Sequence, residues 1–281
     1  MAKKINDKVL EASWPLPEND QISSAIPTKS MDFKGSRYYY NKLEEDLKKR
    51  VYVMSVTTWL NCVSKGIGFN MWLGNANSYK DAMSYANERA EIGNMVHAMW
   101  GKSVDTSHGW YNADEAKINP IPNESKLRLS AFIDFFDEYK PIPIATEISL
   151  YTDNKEYPYA GTADQIMMIN GETWLVDIKT GAKYPKEQQL QLTAYKLLYD
   201  LLYGDITGCI DRVACLYLKK NGKYELKEYK FVPEEWNNLI EFGKYYFSDM
   251  RGTMPKVKEP EELPVIYTLK KEEEENEDAT E

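Results

Sequence analysis

The chain has 281 residues, of which 43% are hydrophobic, and a formal net charge of -9. This length and apolar content allow one large domain with a sizeable buried core, while the negative charge argues against a protein that coats nucleic acid non-specifically. Seven acidic residues lie in the last ten positions, Glu272–Glu281, so the rest of the chain has 35 basic and 37 acidic residues and can carry a local basic groove.

Several other classes of protein are disfavoured by features that the sequence lacks. The three cysteines, Cys62, Cys209 and Cys215, have neither metal-ligand spacing nor the even number of a disulfide framework. The first ten residues contain no apolar run typical of a signal peptide, and no stretch has the length of a membrane-spanning helix. We therefore expect a soluble, cytoplasmic protein without a membrane partner.

The first elements in the chain are expected to be short. Residues 1–50 are polar and weakly periodic, which predicts an irregular N-terminal arm with a short charged helix near Leu43–Lys49. Val51–Met54 can form a short strand, and a helix is expected from about Trp59. Hydroxyl caps for that helix are available at Ser55, Thr57 and Thr58.

Two longer helices are predicted next. Ser78 is a suitable N-cap for a helix from Tyr79 to about Lys102. Asn123 or Ser125 can begin another helix, which continues to Tyr139.

From Ile144 onward the pattern changes to that of a sheet interrupted by a helix. The predicted strands are Ala145–Tyr151, Tyr159–Ile169, Thr173–Lys179, Asp211–Leu218 and Tyr224–Phe231. The predicted helices are Pro185–Tyr203 and a last one from Pro233 to about Asp249. We expect one α/β domain over residues 51–258, with a mixed, mainly antiparallel sheet flanked by helices. The Pro- and Glu-rich composition of residues 259–281 predicts an acidic, disordered tail.

Asn170-Gly171 separates two of these strands and is the strongest short-range signal for a two-residue hairpin turn. In that register the numbers of paired residues add up to 341, so Asp164 faces Asp177. Side chains alternate along a strand, so Lys179 projects from the same face as Asp177. The sequence thus predicts two carboxylates and one ammonium group on one patch.

Two facing carboxylates repel each other, and a divalent cation such as Mg²⁺ or Mn²⁺ would relieve that repulsion. With a cation bound, such a cluster can hydrolyse phosphodiester bonds, because the ion activates water and the lysine stabilises charge on the phosphate. The alternative interpretation is an ordinary surface ion pair between Lys179 and Asp177, which would contribute little.

Five ordered motifs carry a resemblance to a known family. They are Ser55–Leu60 (S-V-T-T-W-L), Gly93–His97 (G-N-M-V-H), Gly161–Asp164 (G-T-A-D), Asp177–Gly181 (D-I-K-T-G) and Gln191–Tyr195 (Q-L-T-A-Y). Together they resemble the PD-(D/E)XK nuclease superfamily, and within it the RecB-like and Cas4-like exonucleases, including stand-alone phage enzymes. The likeness extends from about residue 55 to residue 218 and implies a restriction-endonuclease-like core for the domain.

The resemblance implies a role for each matched residue. The metal ligands would be His97, Asp164, Asp177 and the backbone carbonyl of Ile178. Lys179 would be the catalytic lysine, and Gln191 and Tyr195 would position either that lysine or a DNA phosphate. Glu147, on the preceding strand, is either a further carboxylate ligand or a solvated strand residue.

The implied activity is that of an Mg²⁺- or Mn²⁺-dependent deoxyribonuclease, more specifically an exonuclease in DNA recombination, repair or processing. Many relatives hold an iron–sulfur cluster on four cysteines, but nothing after Cys215 completes such a set, so we expect no iron–sulfur cluster. The sequence contains no P-loop. The expected partners are single- or double-stranded DNA and a separate helicase or single-strand annealing protein.

Three alternatives remain open at the level of sequence. The first is a catalytically silent nuclease-fold subunit that binds DNA or a partner protein, although the full set of matched residues disfavours it. The second is a metal-dependent hydrolase with another substrate, against which the adjacent bases Lys183 and Lys186 argue mildly. The third is an endonuclease with a recognition region in residues 1–50 or 103–122.

Overall fold

The computed structural model of this chain describes residues 22, 24–33, 35–85, 93 and 123–247, except for the side chains of residues 67 and 68. Three expectations therefore lie outside the described residues. They are the ligand role of His97, the end of the predicted helix near Lys102, and the acidic tail over residues 259–281.

The described strands form one mixed sheet. Their bounds are β1 Thr28–Phe33, β2 Ser36–Asn41, β3 Val53–Ser55, β4 Ile142–Leu150, β5 Tyr159–Ile169, β6 Glu172–Lys179, β7 Arg212–Leu218 and β8 Tyr224–Tyr229. Their order is β1-β2-β3-β5-β6-β7-β8, and β4 pairs with β5 as well. The pairs β3–β5 and β6–β7 are parallel, and the other described pairs are antiparallel. The expectation of an α/β protein with a mainly antiparallel sheet is confirmed.

Several of the helices begin at capping or proline signals in the sequence. Their bounds are α1 Val56–Trp59, α2 Gly66–Gly74, α3 over residues 79–85, α4 Asn123–Tyr139, α5 Pro185–Thr207 and α6 Pro233–Tyr245. The Ser55 hydroxyl accepts a hydrogen bond from the backbone N–H of Thr58 at 3.0 Å, and this cap begins α1 three residues before the predicted position. Both α5 and α6 have proline in the first turn, where its missing N–H costs nothing.

The N-terminal arm is a correction to the sequence analysis. Residues 1–50 were expected to be irregular, but β1 and β2 form a hairpin that joins the sheet through β3. Gly35, at a φ of +77°, lies in the turn between them, where its missing Cβ removes the penalty for that conformation. The expected helix near Leu43–Lys49 is also wrong, because these residues form turns.

The predicted hairpin between β5 and β6 is confirmed in its turn and its register. Asn170 and Gly171 both have positive φ, 53° and 84°, as a tight hairpin turn requires. The paired residues run from Ile169↔Glu172 to Gln165↔Val176, as the Asn-Gly signal predicts. The side chains of β5 and β6 that share one side of the sheet are therefore those that the sequence predicts.

Helices cover both faces of this sheet. On one face, Leu175 of β6 belongs to a core cluster with Leu192 and Leu198 of α5 and Trp236 of α6. On the other face, side chains of β6 and β7 pack with the aromatic side of α4, whose buried members include Phe132, Phe135 and Phe136. Within the described ranges, no helix combines the length and the apolar character that crossing a membrane requires.

The α6 helix crosses α1 so closely that a glycine is required at the contact. A Cβ at Gly243 would lie 2.6 Å from two ring carbons of Trp59, a side chain with only 1% exposure. We predict that Gly243→Ala lowers the free energy of unfolding by about 1–3 kcal/mol through overpacking, although alanine favours a helix. Chemical denaturation measures this loss.

Gly74→Ala is the matched control for Gly243→Ala. A Cβ at Gly74, also in a helix, would meet no atom of the described residues within 4 Å. This variant should be as stable as the wild type or slightly more stable. Equal stabilities for the two variants would contradict the close contact between α1 and α6.

Candidate functional site

The candidate site lies where β5 and β6 part. Their backbone ladder ends at Gln165↔Val176, while β6 continues alongside β7 as far as Lys179↔Tyr217. Asp164 and Asp177 occupy the next positions of the same register. There the Asp164 carboxylate takes the place of a backbone acceptor, because its Oδ2 accepts a hydrogen bond of 2.7 Å from the N–H of Ile178.

An ion pair joins the other two predicted residues. The Lys179 Nζ lies 2.6 Å from Oδ2 of Asp177, and the two side chains are 26% and 4% exposed. A carboxylate buried to this extent would be strongly destabilising without a partner. The ammonium group of Lys179 is therefore part of what allows Asp177 to remain inside the protein as an anion.

The charge state of Lys179 follows from two opposing effects. Burial on its own would lower the pKa of Lys179, but attraction first to Asp177 and then to Asp164 outweighs burial and raises the pKa above its ordinary value. The lysine is thus held in its protonated form and acts as a hydrogen-bond donor at neutral pH.

Helix α5 supplies the next two predicted residues, Gln191 and Tyr195. Lys179 Nζ donates to Oε1 of Gln191 at 3.1 Å, and Nε2 of Gln191 donates to the hydroxyl oxygen of Tyr195 at 3.2 Å. The two residues are one helical turn apart, so they lie on the same face of α5. Burial raises the pKa of Tyr195 well above its usual range, so its hydroxyl stays neutral. The structure places both residues beside Lys179, and their expected role in positioning the lysine or a DNA phosphate stays a prediction.

The glycine of the G-T-A-D motif makes room for this network. A Cβ at Gly161 would lie 2.5 Å from Cε1 of Tyr195 and 3.1 Å from its hydroxyl oxygen. The tyrosine ring therefore packs directly against the backbone of β5 near the point where the two strands part.

The glycine of the G-N-M-V-H motif also approaches the end of β6. A Cβ at Gly93 would lie 3.0 Å from the Thr180 hydroxyl oxygen, so the backbone at Gly93 packs against the residue that follows Lys179.

Glu147 lies beside Asp164 in the register of β4 and β5. The pairs Thr146↔Gln165 and Ile148↔Ala163 flank it, so one row across three strands contains Glu147, Asp164 and Asp177. Glu147 is exposed and has a φ of +49°, a strained conformation for a residue other than glycine. Such strain occurs often at functional sites, but a ligand role for Glu147 stays a prediction.

A divalent cation is compatible with the two aspartates. Among the residues described, no group of three or more His, Cys, Asp or Glu side chains is arranged to hold a metal ion. Mg²⁺ is nevertheless often held by only one or two carboxylates together with several waters. Carboxylate oxygens are the hard ligands it prefers, and a carboxylate can accept at several lone-pair positions. Asp164 and Asp177 thus fit Mg²⁺ or Mn²⁺ in donor chemistry.

One neighbour of the site was not predicted from the sequence. Cys215, on β7, pairs with Asp177 in the parallel ladder, and its Sγ lies 3.9 Å from Oδ2 of Asp177. Burial, and next the Asp177 charge, raise the pKa of this thiol, so it is a neutral packing group and not a nucleophile. Only the parallel pairing of β6 and β7 reveals this neighbour, and no local motif signals that pairing.

Comparison with known proteins adds no relationship to this geometry. No protein-family model matches the chain, and no curated protein matches it. The resemblance to PD-(D/E)XK nucleases therefore rests on the sequence motifs alone.

We predict that Gly161→Ala displaces the Tyr195 ring and lowers the free energy of unfolding by about 1–3 kcal/mol. The reason is the 2.5 Å approach of the added Cβ to that ring. Chemical denaturation tests it beside Gly181→Ala, whose Cβ would meet nothing within 4 Å in the part of the chain that the structure describes. If the two variants lose the same stability, Tyr195 does not pack on β5 as described.

Proposed function

We propose that this protein is a metal-dependent deoxyribonuclease with a PD-(D/E)XK core, and that it acts as an exonuclease on phosphodiester bonds. One observation carries the proposal. Asp164, Asp177 and Lys179 lie together where β5 and β6 part, and Gln191 of α5 accepts a hydrogen bond from the lysine. These residues belong to the G-T-A-D, D-x-K-T-G and Q-x-x-x-Y motifs.

Each of these residues has a distinct part in the proposed reaction. Asp164 and Asp177 would hold Mg²⁺ or Mn²⁺, which supplies Lewis-acid polarisation of the phosphate and an activated water. In the proposed reaction Lys179, which attraction to the two aspartates keeps protonated in the metal-free chain, donates to a phosphate oxygen and stabilises the negative charge that develops there.

Gln191 and Tyr195 act through the lysine. The amide of Gln191 is held between Lys179 and the Tyr195 hydroxyl, which restricts the directions in which the ammonium group can point. A donor whose orientation is fixed in advance stabilises a transition state better than a mobile one. In this proposal the two residues position Lys179 rather than bind the metal.

The test of this proposal is degradation of end-labelled DNA by the full chain. The wild type should degrade DNA with Mg²⁺ or Mn²⁺ and not with EDTA. Lys179→Ala should lower the rate about 100- to 1,000-fold, the usual effect of losing one transition-state donor. Release of the label from an end distinguishes an exonuclease from an endonuclease.

Two controls make the result specific. Lys244→Ala removes a lysine that pairs only with Glu241 on the surface of α6 among the described residues, and it should leave the rate unchanged. Circular dichroism shows whether Lys179→Ala remains folded, since it leaves Asp177 without its ion-pair partner. DNA binding without cleavage under any metal would contradict the nuclease and favour the silent subunit.

A further inference from the structure

A large cavity lies next to the candidate site, between α2 and the segment that joins β6 to α5. Its volume is about 870 Å³, which is within the range of about 300–1,000 Å³ typical of small-molecule sites. Thr180 and Gly181, the two residues after Lys179, form part of its wall. We call it the aromatic cavity, because four aromatic side chains line it: Phe69, Trp72, Tyr85 and Tyr184.

The aromatic rings form a connected wall. The ring centroids of Phe69 and Trp72 lie 5.4 Å apart, and those of Trp72 and Tyr85 lie 6.4 Å apart. None of the described side chains of α2 is fully buried, and Tyr85 is 53% exposed. These rings are thus only partly covered by the described core. Unpaired nucleobases stack on aromatic rings of this kind.

Lysines surround the rings. Lys65, Lys183, Lys186 and Lys220 line the cavity, against one acidic residue, Glu187. Lys183 and Lys186 are paired with carboxylates outside the cavity wall, whereas Lys65 and Lys220 make no ion pair within the described part of the chain. The Lys65 ammonium lies 5.2 Å from the centre of the Phe69 ring. In proteins that bind single strands, positive charge attracts the phosphate backbone and neighbouring aromatic rings stack on the exposed bases.

The aromatic cavity adjoins a second cavity that the candidate catalytic lysine lines. A smaller cavity of about 220 Å³ shares Thr180, Gly181, Lys183 and Lys220 with it and is also lined by Lys179. A DNA strand whose base occupies the aromatic cavity can therefore place a neighbouring phosphate near Lys183 and Lys220, beside the smaller cavity that Lys179 lines.

We propose that the aromatic cavity binds an unpaired base of single-stranded DNA, and that the substrate of the proposed nuclease is consequently a single-stranded or frayed end. This inference rests on the proposed function, because it names the substrate of the proposed nuclease. Bases inside a duplex are stacked on each other and do not offer their faces to Trp72 or Phe69. A blunt duplex should therefore bind more weakly than a single strand of the same length.

The test measures binding without cleavage. The full chain is titrated in EDTA against a fluorescein-labelled oligothymidylate and against a blunt duplex, with anisotropy as the readout. Trp72→Ala should weaken binding of the single strand roughly tenfold or more, as loss of one base-stacking partner does. Trp72→Phe keeps a ring and should retain most of the affinity. Lys65→Ala should reduce the dependence of that affinity on salt, because it removes one phosphate contact.

Met71→Ala is the matched control on the same helix. Met71 is 60% exposed and is not part of the cavity wall, so this variant should bind the oligothymidylate as the wild type does. Unchanged single-strand affinity in Trp72→Ala and Phe69→Ala would overturn the inference. So would a wild type that binds the blunt duplex more tightly, or one that binds no single strand at all.

The two proposals fail in different ways. If the wild type binds single strands through Trp72 but cuts no DNA with any metal, the nuclease is wrong and the cavity inference stands. If the chain degrades DNA while the α2 variants keep full affinity for single strands, the nuclease stands and the cavity inference is wrong.

Discussion

The hydrogen bond from the N–H of Ile178 to the Asp164 carboxylate is the interaction on which the site depends. At this point β6 stops pairing with β5 and continues alongside β7 alone. A side-chain acceptor satisfies a backbone donor that the ladder no longer serves, and a buried donor without an acceptor would be costly. The strands can therefore separate without leaving this donor unsatisfied, and Asp177 and Lys179 lie beside the gap between them.

The charges in this gap stabilise one another and also prepare it for an anionic ligand. Asp177 is almost fully buried and depends on Lys179 for its counter-charge. Lys179 in turn is fixed by Gln191, which Tyr195 holds from the next turn of α5. Since the two carboxylates bring more negative charge than the lysine offsets, a divalent cation would complete the balance of charge and then attract a phosphate. One set of contacts thus serves both the fold and the proposed chemistry.

The parts that the sequence predicted are those encoded by local signals. Asn170-Gly171 defines a hairpin by turn chemistry alone, and its register puts Asp164 and Asp177 in line. The β1–β2 hairpin was missed because its strands show little apolar alternation, although Gly35 marks its turn. The parallel pairs and the aromatic cavity join segments far apart in sequence, and no local pattern records such contacts.

A titration of the full chain with Mn²⁺, followed by electron paramagnetic resonance, shows whether Asp164 and Asp177 form a divalent-cation site. The wild type and the surface control Asp137→Asn should bind Mn²⁺ equally. Asp164→Asn and Asp177→Asn should each bind it at least tenfold more weakly, as expected when one charged ligand of a hard cation is lost. Equal affinity in all four proteins, or no binding by the wild type, would show that the two aspartates form no such site.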